Sequence, residues 1–583
     1  MTDPTNTEIA AALDQLGDLY ELDGAVIHRI VAYRNGAKAA REASTSVSQL
    51  ARDGRATELP GIGSTLQEKI LALAQTGEIP ALQKLRAKFP PGLVEMTKLP
   101  GLGPKRARRL YEELQIDSLA SLRAAAEEER IRALSGFGAK AEEQLLAALD
   151  AYEASGPQTR TVLNKALAVG EELLQAIREH PATVRAEFAG SARRMAESVK
   201  DLDIVATASD PAALARAAVE LPQVEAASNP GDNAVRLRTH AGLNVDLRIV
   251  EPDQFGNVLQ HLTGSKEHNV ALRDFAVRRG LHISEYGVLD DATGITHRCP
   301  TEQEVYALLG MAYIEPELRE NRGELEAALE GKLPELITLA DLNGDLHAHT
   351  TASDGTASIE EMALAAKGFG YEYLAITDHS ASMGFGADVS DDQLRRQIEL
   401  VRRADAEIDG IKLLAGSEVN IFPDGSLDYP DELLAKLDWV VASVHTSFRM
   451  NSKDMTERVI SAIEHPYVDC IGHLTGRKIE QRRPYELDFE AVAAAAARTG
   501  TMLEINANPD RRDLNELHAR AASAAGVQIV IDTDAHRVDG FAVARYGIAT
   551  ARRAWLTPSQ IANTQPWAEF APLRCRLRHG SGS

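Results

Sequence analysis

The residues able to do chemistry in this chain are carboxylates and imidazoles at fixed spacings. Asp201 and Asp203 stand two apart in Asp201-Leu202-Asp203-Ile204-Val205, and Asp246 stands in a second such run, Asn244-Val245-Asp246-Leu247-Arg248. If these runs are strands, residues i and i+2 share a face, so Asp201 and Asp203 point the same way. A neighbouring strand carrying Asp246 would complete a carboxylate cluster. Hard oxygen ligands select magnesium or manganese, and a pair of such ions stabilises the attacking and leaving oxygens of a phosphoryl transfer. Upstream, the turn Gly190-Ser191-Ala192-Arg193-Arg194 offers donors to a triphosphate, with Arg194 placed to meet it.

A second set of donors follows: His347, His349, Asp354, His379, Glu418, His445, His473, Asp534 and His536. A single buried histidine is usually structural. Histidines ending one apolar run after another, with carboxylates beside them, describe a metal centre, and mixed imidazole and carboxylate donors suit manganese or zinc.

A third motif occurs three times, as Leu59-Pro60-Gly61-Ile62-Gly63, Leu99-Pro100-Gly101-Leu102-Gly103 and Leu134-Ser135-Gly136-Phe137-Gly138. Paired glycines between helices let the second helix start with free N–H groups facing a phosphate oxygen. Lys105 and Arg106 follow the second turn. Contact of this kind holds the DNA backbone and does not read bases.

These residues need scaffolds of different kinds. At 583 residues the chain is long enough for about four domains. Up to about residue 150 it reads as short helices broken by glycine turns. After Gly156-Pro157 the texture becomes α/β, with a helix over 163–179 and strands over the two aspartate runs and Ala234–Arg238. Residues 321–340 read as a charged helical connector. From Leu342 apolar runs recur at helical-crossover spacing, nearly every one ending in a ligand-type residue, the signature of a parallel barrel with its site at the strand ends.

Composition narrows the classes. With 44% hydrophobic and 26% charged residues the chain is globular throughout. The net charge of -23 excludes a broadly basic surface but leaves room for local phosphate-binding patches. No long apolar span and no signal peptide are present, so a cytoplasmic protein without membrane contact is expected. Cys299, Cys470 and Cys575 form neither a disulfide framework nor a CxxC pattern and are expected to be reduced.

Up to about residue 320 the sequence resembles the family X DNA polymerases. The resemblance runs through the Leu59–Gly63 hairpin, Gly190 to Arg194, Asp201, Asp203, Asp246, Thr263-Gly264-Ser265, Asn269, Arg273 and Glu285-Tyr286. It implies a nucleotidyltransferase palm whose three aspartates bind two magnesium or manganese ions, with Asp246 nearest the primer 3′-hydroxyl. It implies that Gly190, Ser191, Arg194 and Arg160 hold the incoming triphosphate, and that Asn269 and Arg273 lie at the minor-groove side of the nascent pair. Gly61, Gly63, Gly101, Gly103, Lys105, Arg106, Arg29 and Tyr33 would contact DNA, and Lys69 matches the family's Schiff-base lysine. The chain departs from the family at His261-Leu262, where an aromatic pair is usual, and at Thr57 and Thr65, where basic residues are used.

Residues 341–550 resemble the PHP phosphoesterases through His347-Ala348-His349, Asp354, Thr377-Asp378-His379, Glu418, His445, His473 and Asp534-Ala535-His536. That family implies a (β/α)7 barrel with three divalent ions. Arg477 and Arg512 are candidate phosphate clamps.

The expected architecture is therefore multidomain. It comprises all-α helix-hairpin-helix domains over 1–91 and 92–158, an α+β palm over 159–252, a thumb-like nascent-pair subdomain over 253–320, a linker over 321–340 and the PHP barrel over 341–575. The expected function is a monomeric repair polymerase filling short gaps in primed DNA with deoxynucleoside triphosphates, its barrel a 3′–5′ exonuclease or 3′-end phosphodiesterase. The alternative is a DNA-docked phosphoesterase acting on a small phosphate ester or an abasic site beside an inactive polymerase core.

Overall fold

The computed structural model describes residues 3–97, 99, 102–134, 136–154, 160–228, 231, 233–382 and 388–574. The chain forms two compact units, one of residues 1–161, 165–189 and 200–255, the other of 162–164, 190–199 and 256–583.

The first unit opens with helices. Helix Asn6–Leu22 starts at a capping box between Thr5 and Glu8, and its Ile9, Leu13, Leu16 and Tyr20 line one face at helical spacing. That face is buried with Tyr33, Ala37 and Ile70 in one apolar core. The three glycine turns share a bond, Ile62 N–H to Leu59 O at 3.0 Å, Leu102 to Leu99 at 3.0 Å and Phe137 to Leu134 at 2.9 Å. Gly61 and Gly136 are left-handed, at φ 97° and 81°, where a side chain would be strained. Gly63 and Gly103 cap helices Ser64–Thr76 and Pro104–Leu114. Gly101 lies outside the described residues.

The palm of this unit is a five-stranded sheet in the order Thr183–Ala189, Asp201–Ala208, Asn244–Ile249, Ala234–Thr239, Val224–Ser228. Helix Leu163–Glu179 packs on it at Gly170, where an added Cβ would stand 2.7 Å from Leu202.

In the second unit, helices Lys266–Val277 and Glu302–Leu308 and a three-stranded sheet form the thumb-like part. Its core joins Leu272, Tyr306 and Ile314 to Leu325, Ala328 and Leu336. The stretch 321–340, expected as a linker, packs Leu325, Ala328 and Leu336 into that core, and its Ile337 enters the barrel's core. Glu302 lies buried between Arg193 and Arg319. Burial opposes its charge, but the two guanidinium groups overcome this and pull its pKa down to about 2.

The barrel consists of seven parallel strands in sequence order, Gly344–Ala348, Tyr373–Ile376, Lys412–Asn420, Trp439–Ser443, Cys470–Ile471, Met502–Asn506 and Ile529–Asp532. Nearly every residue in them is buried, as a parallel sheet covered on both faces requires. First and last strands meet through side chains. Asn563 donates to Gly344 O at 2.8 Å and Ile531 O at 2.7 Å, and Asp532 accepts from Leu346 N–H at 2.8 Å. A single bridge, Ala348 to Ala535, adds main-chain pairing. Tyr373, Trp439 and Phe570 plug the other end. Cys299 and Cys470 are buried free thiols, and Cys575 lies outside the described residues. Among the described residues no helix is long and apolar enough to cross a membrane.

Candidate active sites

The palm aspartates fall into register. Asp201 and Asp203 sit on a strand whose parallel neighbour sets Asp246 directly beside Asp203. Alternation explains the facing: Leu202 and Ile204, then Val245 and Leu247, point into the core, so the three carboxylates share the more open face. Arg236, opposite Asp246 on the antiparallel strand, donates to it at 2.8 Å. The sequence reading overlooked Arg236, and cross-strand register is what brings it there. Arg248 lies two residues beyond Asp246 on the same face.

The turn Gly190–Val199 belongs to the second unit, whereas the sequence places it within a contiguous palm. Its polar bonds explain this. Arg193 binds Glu302 and Thr263, and Arg194 donates to Glu320 at 3.1 Å and to Thr263 O at 2.5 Å. Glu197 pairs with Arg477, and Met195 O accepts from Arg512 at 2.9 Å. Ser191 stays half-buried beside them. Arg477 and Arg512, the candidate phosphate clamps, are engaged here with Glu197 and with Met195 and Thr550, and Arg512 is 1% exposed. Burial pushes its pKa down to about 10, which leaves it a cation at neutral pH.

Elsewhere in the second unit Asn269 accepts from Gln260 at 2.9 Å and donates to His261 O at 2.7 Å, and Arg273, one helical turn on, is exposed. In the first unit Arg160, Arg29 and Lys105 are exposed, and Lys69 is half-buried on helix Ser64–Thr76. Arg106 donates to Gly136 O at 2.8 Å, tying the second and third hairpins together. Tyr33 is 4% exposed and stacks on Tyr20 at 5.3 Å, so its ring is spent on packing, while Arg29 lies over Tyr20 at the surface.

The barrel brings its expected donors together. Ligand atoms of His349, Asp354, His379 and His536, of His347, His349 and Asp534, and of His379, Glu418 and His445 lie within 4.8 Å of one another in each group. His473 Nε2 sits 2.9 Å from Glu418. All lie in or beyond the C-terminal ends of strands, and His473 and Asp534 are left-handed, at φ 28° and 56°, conformations held only by a determined surrounding.

Among the described residues, His347 Nε2 and both ring nitrogens of His349 are buried without a hydrogen-bond partner, while His379 Nδ1 lies 2.8 Å, His445 Nε2 3.1 Å and His473 Nε2 2.9 Å from the Glu418 carboxylate. Orphaned lone pairs converging beside carboxylates fit metal ions. The shifts run both ways: burial lowers the imidazoles, yet neighbouring carboxylates raise His347 and lift His379 to about 10. Burial opposes ionisation of Glu418, but His445, His347 and His379 hold its carboxyl well below the ordinary range. Burial, with His379 and His536 adjacent, drops His349 to about 4, so it stays neutral with a lone pair to give.

Glu504 was not among the expected residues. It is fully buried, accepts from His347 Nδ1 at 2.6 Å and from the His473 N–H at 2.6 Å, and so aims Nε2 of His347 inward. A carboxylate inside the apolar run Met502–Asn506 was the available signal. Asp378 braces the loop bearing Asp354, accepting from Thr350 N–H and Oγ1, each at 2.7 Å, and from Ser353.

The comparisons match these parts. Residues 4–79 match a helix-hairpin-helix domain, 93–151 a SAM-like helix-hairpin-helix tandem, 258–320 the DNA polymerase beta thumb and 345–508 the PHP domain. The chain is similar to probable phosphatases of Thermoanaerobacter sp. (strain X514), 34% identical over 233 residues, and of Shewanella sediminis (strain HAW-EB3), 33% over 234; each match covers 38% of this chain and 89% and 90% of the relatives. It is also 37% identical over 560 residues to the DNA polymerase/3′-5′ exonuclease PolX of Bacillus subtilis (strain 168), covering 96% of this chain and 97% of that relative. A likeness sustained through hairpins, palm, thumb and barrel alike leaves one assignment: the chain belongs to the family X DNA polymerases that carry a PHP domain.

Proposed function

We propose that this family X DNA polymerase fills short gaps during DNA repair, and that its barrel trims the primer end as a manganese-dependent 3′–5′ exonuclease or 3′-end phosphodiesterase. The observation supporting it most is the register of Asp203 against Asp246, with Asp201 on the same face. Those aspartates would hold two magnesium or manganese ions. In the barrel, manganese or zinc would be held by His347, His349, Glu418 and Asp534, by Glu418, His445 and His473, and by Asp354, His379 and His536. When bound, such ions lower the pKa of a coordinated water or hydroxyl and offset charge on phosphate oxygens.

The protein's own part is placement. Asp246 orients the primer 3′-hydroxyl; Gly190, Ser191, Arg194 and Arg160 hold the triphosphate; Asn269 and Arg273 line the nascent pair. Arg194 would exchange Glu320 for phosphate. Gly61, Gly63, Gly101, Gly103, Lys105, Arg106 and Arg29 take backbone phosphates of gapped or primed DNA, and Lys69 is the lyase candidate. The protein acts as a monomer. The phosphatase relatives favour a second reading for the barrel, a small phosphate ester as substrate.

The test follows a 5′-labelled primer on gapped DNA with manganese, with and without nucleotides. Asp201→Ala/Asp203→Ala should lose only extension and His347→Ala/His349→Ala only shortening. Shortening that survives loss of the barrel histidines sinks the exonuclease assignment.

A further inference from the structure

Three arginines reach from the barrel domain to the turn Gly190–Val199. Arg512 Nη1 donates to Met195 O at 2.9 Å, while its Nε is fixed on Thr550 Oγ1 at 2.8 Å. Arg553 Nη1 donates to Arg194 O at 2.8 Å and to Glu320 at 2.9 Å. Arg477 forks onto the Glu197 carboxylate, with Nη1 at 3.0 Å. Met195 has φ 54°, a left-handed conformation that a residue with a side chain keeps only where its surroundings impose it. The Met195 carbonyl that accepts from Arg512 belongs to this turn, next to Arg194. Arg512 and Arg553 are buried, so water does not compete for these carbonyls, and a planar guanidinium fixes direction as well as distance.

We propose that Arg477, Arg512 and Arg553 are positioning residues for nucleotide binding, fixing through Glu197, Met195 O and Arg194 O the backbone that presents Ser191 and Arg194 to the triphosphate. The inference rests on the nucleotide-binding reading of Ser191 and Arg194 given above.

Single-nucleotide gap filling by the full chain tests it, with exonuclease on the same preparation reporting folding. Arg512→Met should raise KM for the nucleotide about tenfold while kcat and exonuclease stay within about twofold, and Arg512→Lys should recover part of the loss. Arg194→Ala is the control: if it leaves KM unchanged, the nucleotide-binding reading fails, and the inference with it. If Arg194→Ala raises KM but Arg512→Met leaves it unchanged or lowers it, with exonuclease intact, the inference alone is overturned. Should Arg512→Met also lose exonuclease, Glu197→Gln on the turn decides: raised KM with exonuclease kept supports the brace, and unchanged KM rejects it.

Discussion

In the barrel most donor residues are buried, with Asp354 at 43% and His536 at 34% the exposed ones, and a surrounding layer holds them, Glu504 on His347 and Asp378 on the loop of Asp354. On the palm sheet the aspartates sit on a half-open face, and Asp246, 32% exposed, rests against Arg236 at 62%. Both regions gather carboxylates for phosphoryl chemistry, yet one carries its geometry within the fold and the other has only strand register. The contrast follows from the scaffolds. Parallel strands converging on a barrel mouth bury their ends together, whereas one face of an open sheet stays accessible to a helix-sized substrate. A centre built the first way should bind its ions before substrate arrives, and one built the second way should complete itself around substrate.

The sharpest way to break the comparison is to remove each centre's ligands. His347→Ala/His349→Ala should cut exonuclease by about three orders of magnitude and spare extension, and Asp201→Ala/Asp203→Ala should do the reverse, as read on labelled primers. Loss of both activities in either variant would mean the centres are one device. A smaller effect tests the supporting layer: Glu504→Gln should weaken barrel activity about 10- to 100-fold, with the manganese titration shifted to higher concentration. An unshifted titration would show that Glu504 does not tune the donors.

Metal removal tests preorganisation without mutation. Manganese at about a hundred times its dissociation constant should raise the barrel's calorimetric transition by roughly 5–10 °C over the chelated protein, leaving transitions of the first unit unmoved. The least effect is expected at Arg236→Met, which frees Asp246: the magnesium needed for half-maximal extension should fall about two- to fivefold. A rise instead would make Arg236 a partner of the reaction and not a counter-charge.

Much of this was legible because the signals were local. The strand runs around Asp201, Asp246 and the barrel ligands, and helix 163–179, sit where alternation and periodicity put them. What sequence hid is where long side chains end. Arg477 and Arg512 read as phosphate clamps because charge is visible and partners are not; Glu197 and Met195 lie hundreds of residues away in sequence. Residues 321–340 read as a charged helical connector because their charges outnumber Leu325, Ala328 and Leu336, whose burial only the thumb's surface explains. Glu504 is visible as a carboxylate in an apolar strand run, but its partner His347 stands 157 residues away in sequence.

The clasp between the first and last barrel strands sets an order of events during synthesis. Strand Gly344–Ala348 emerges early, but its edge is secured by Asp532 and Asn563, about two hundred residues later. Until Asn563 leaves the ribosome the incomplete ring has an open edge, able to pair with another nascent chain, while the hairpins and palm are already free to fold. A ribosome stalled within the last barrel helices would therefore release a polymerase half ready to engage DNA beside a phosphoesterase half that chaperones must hold.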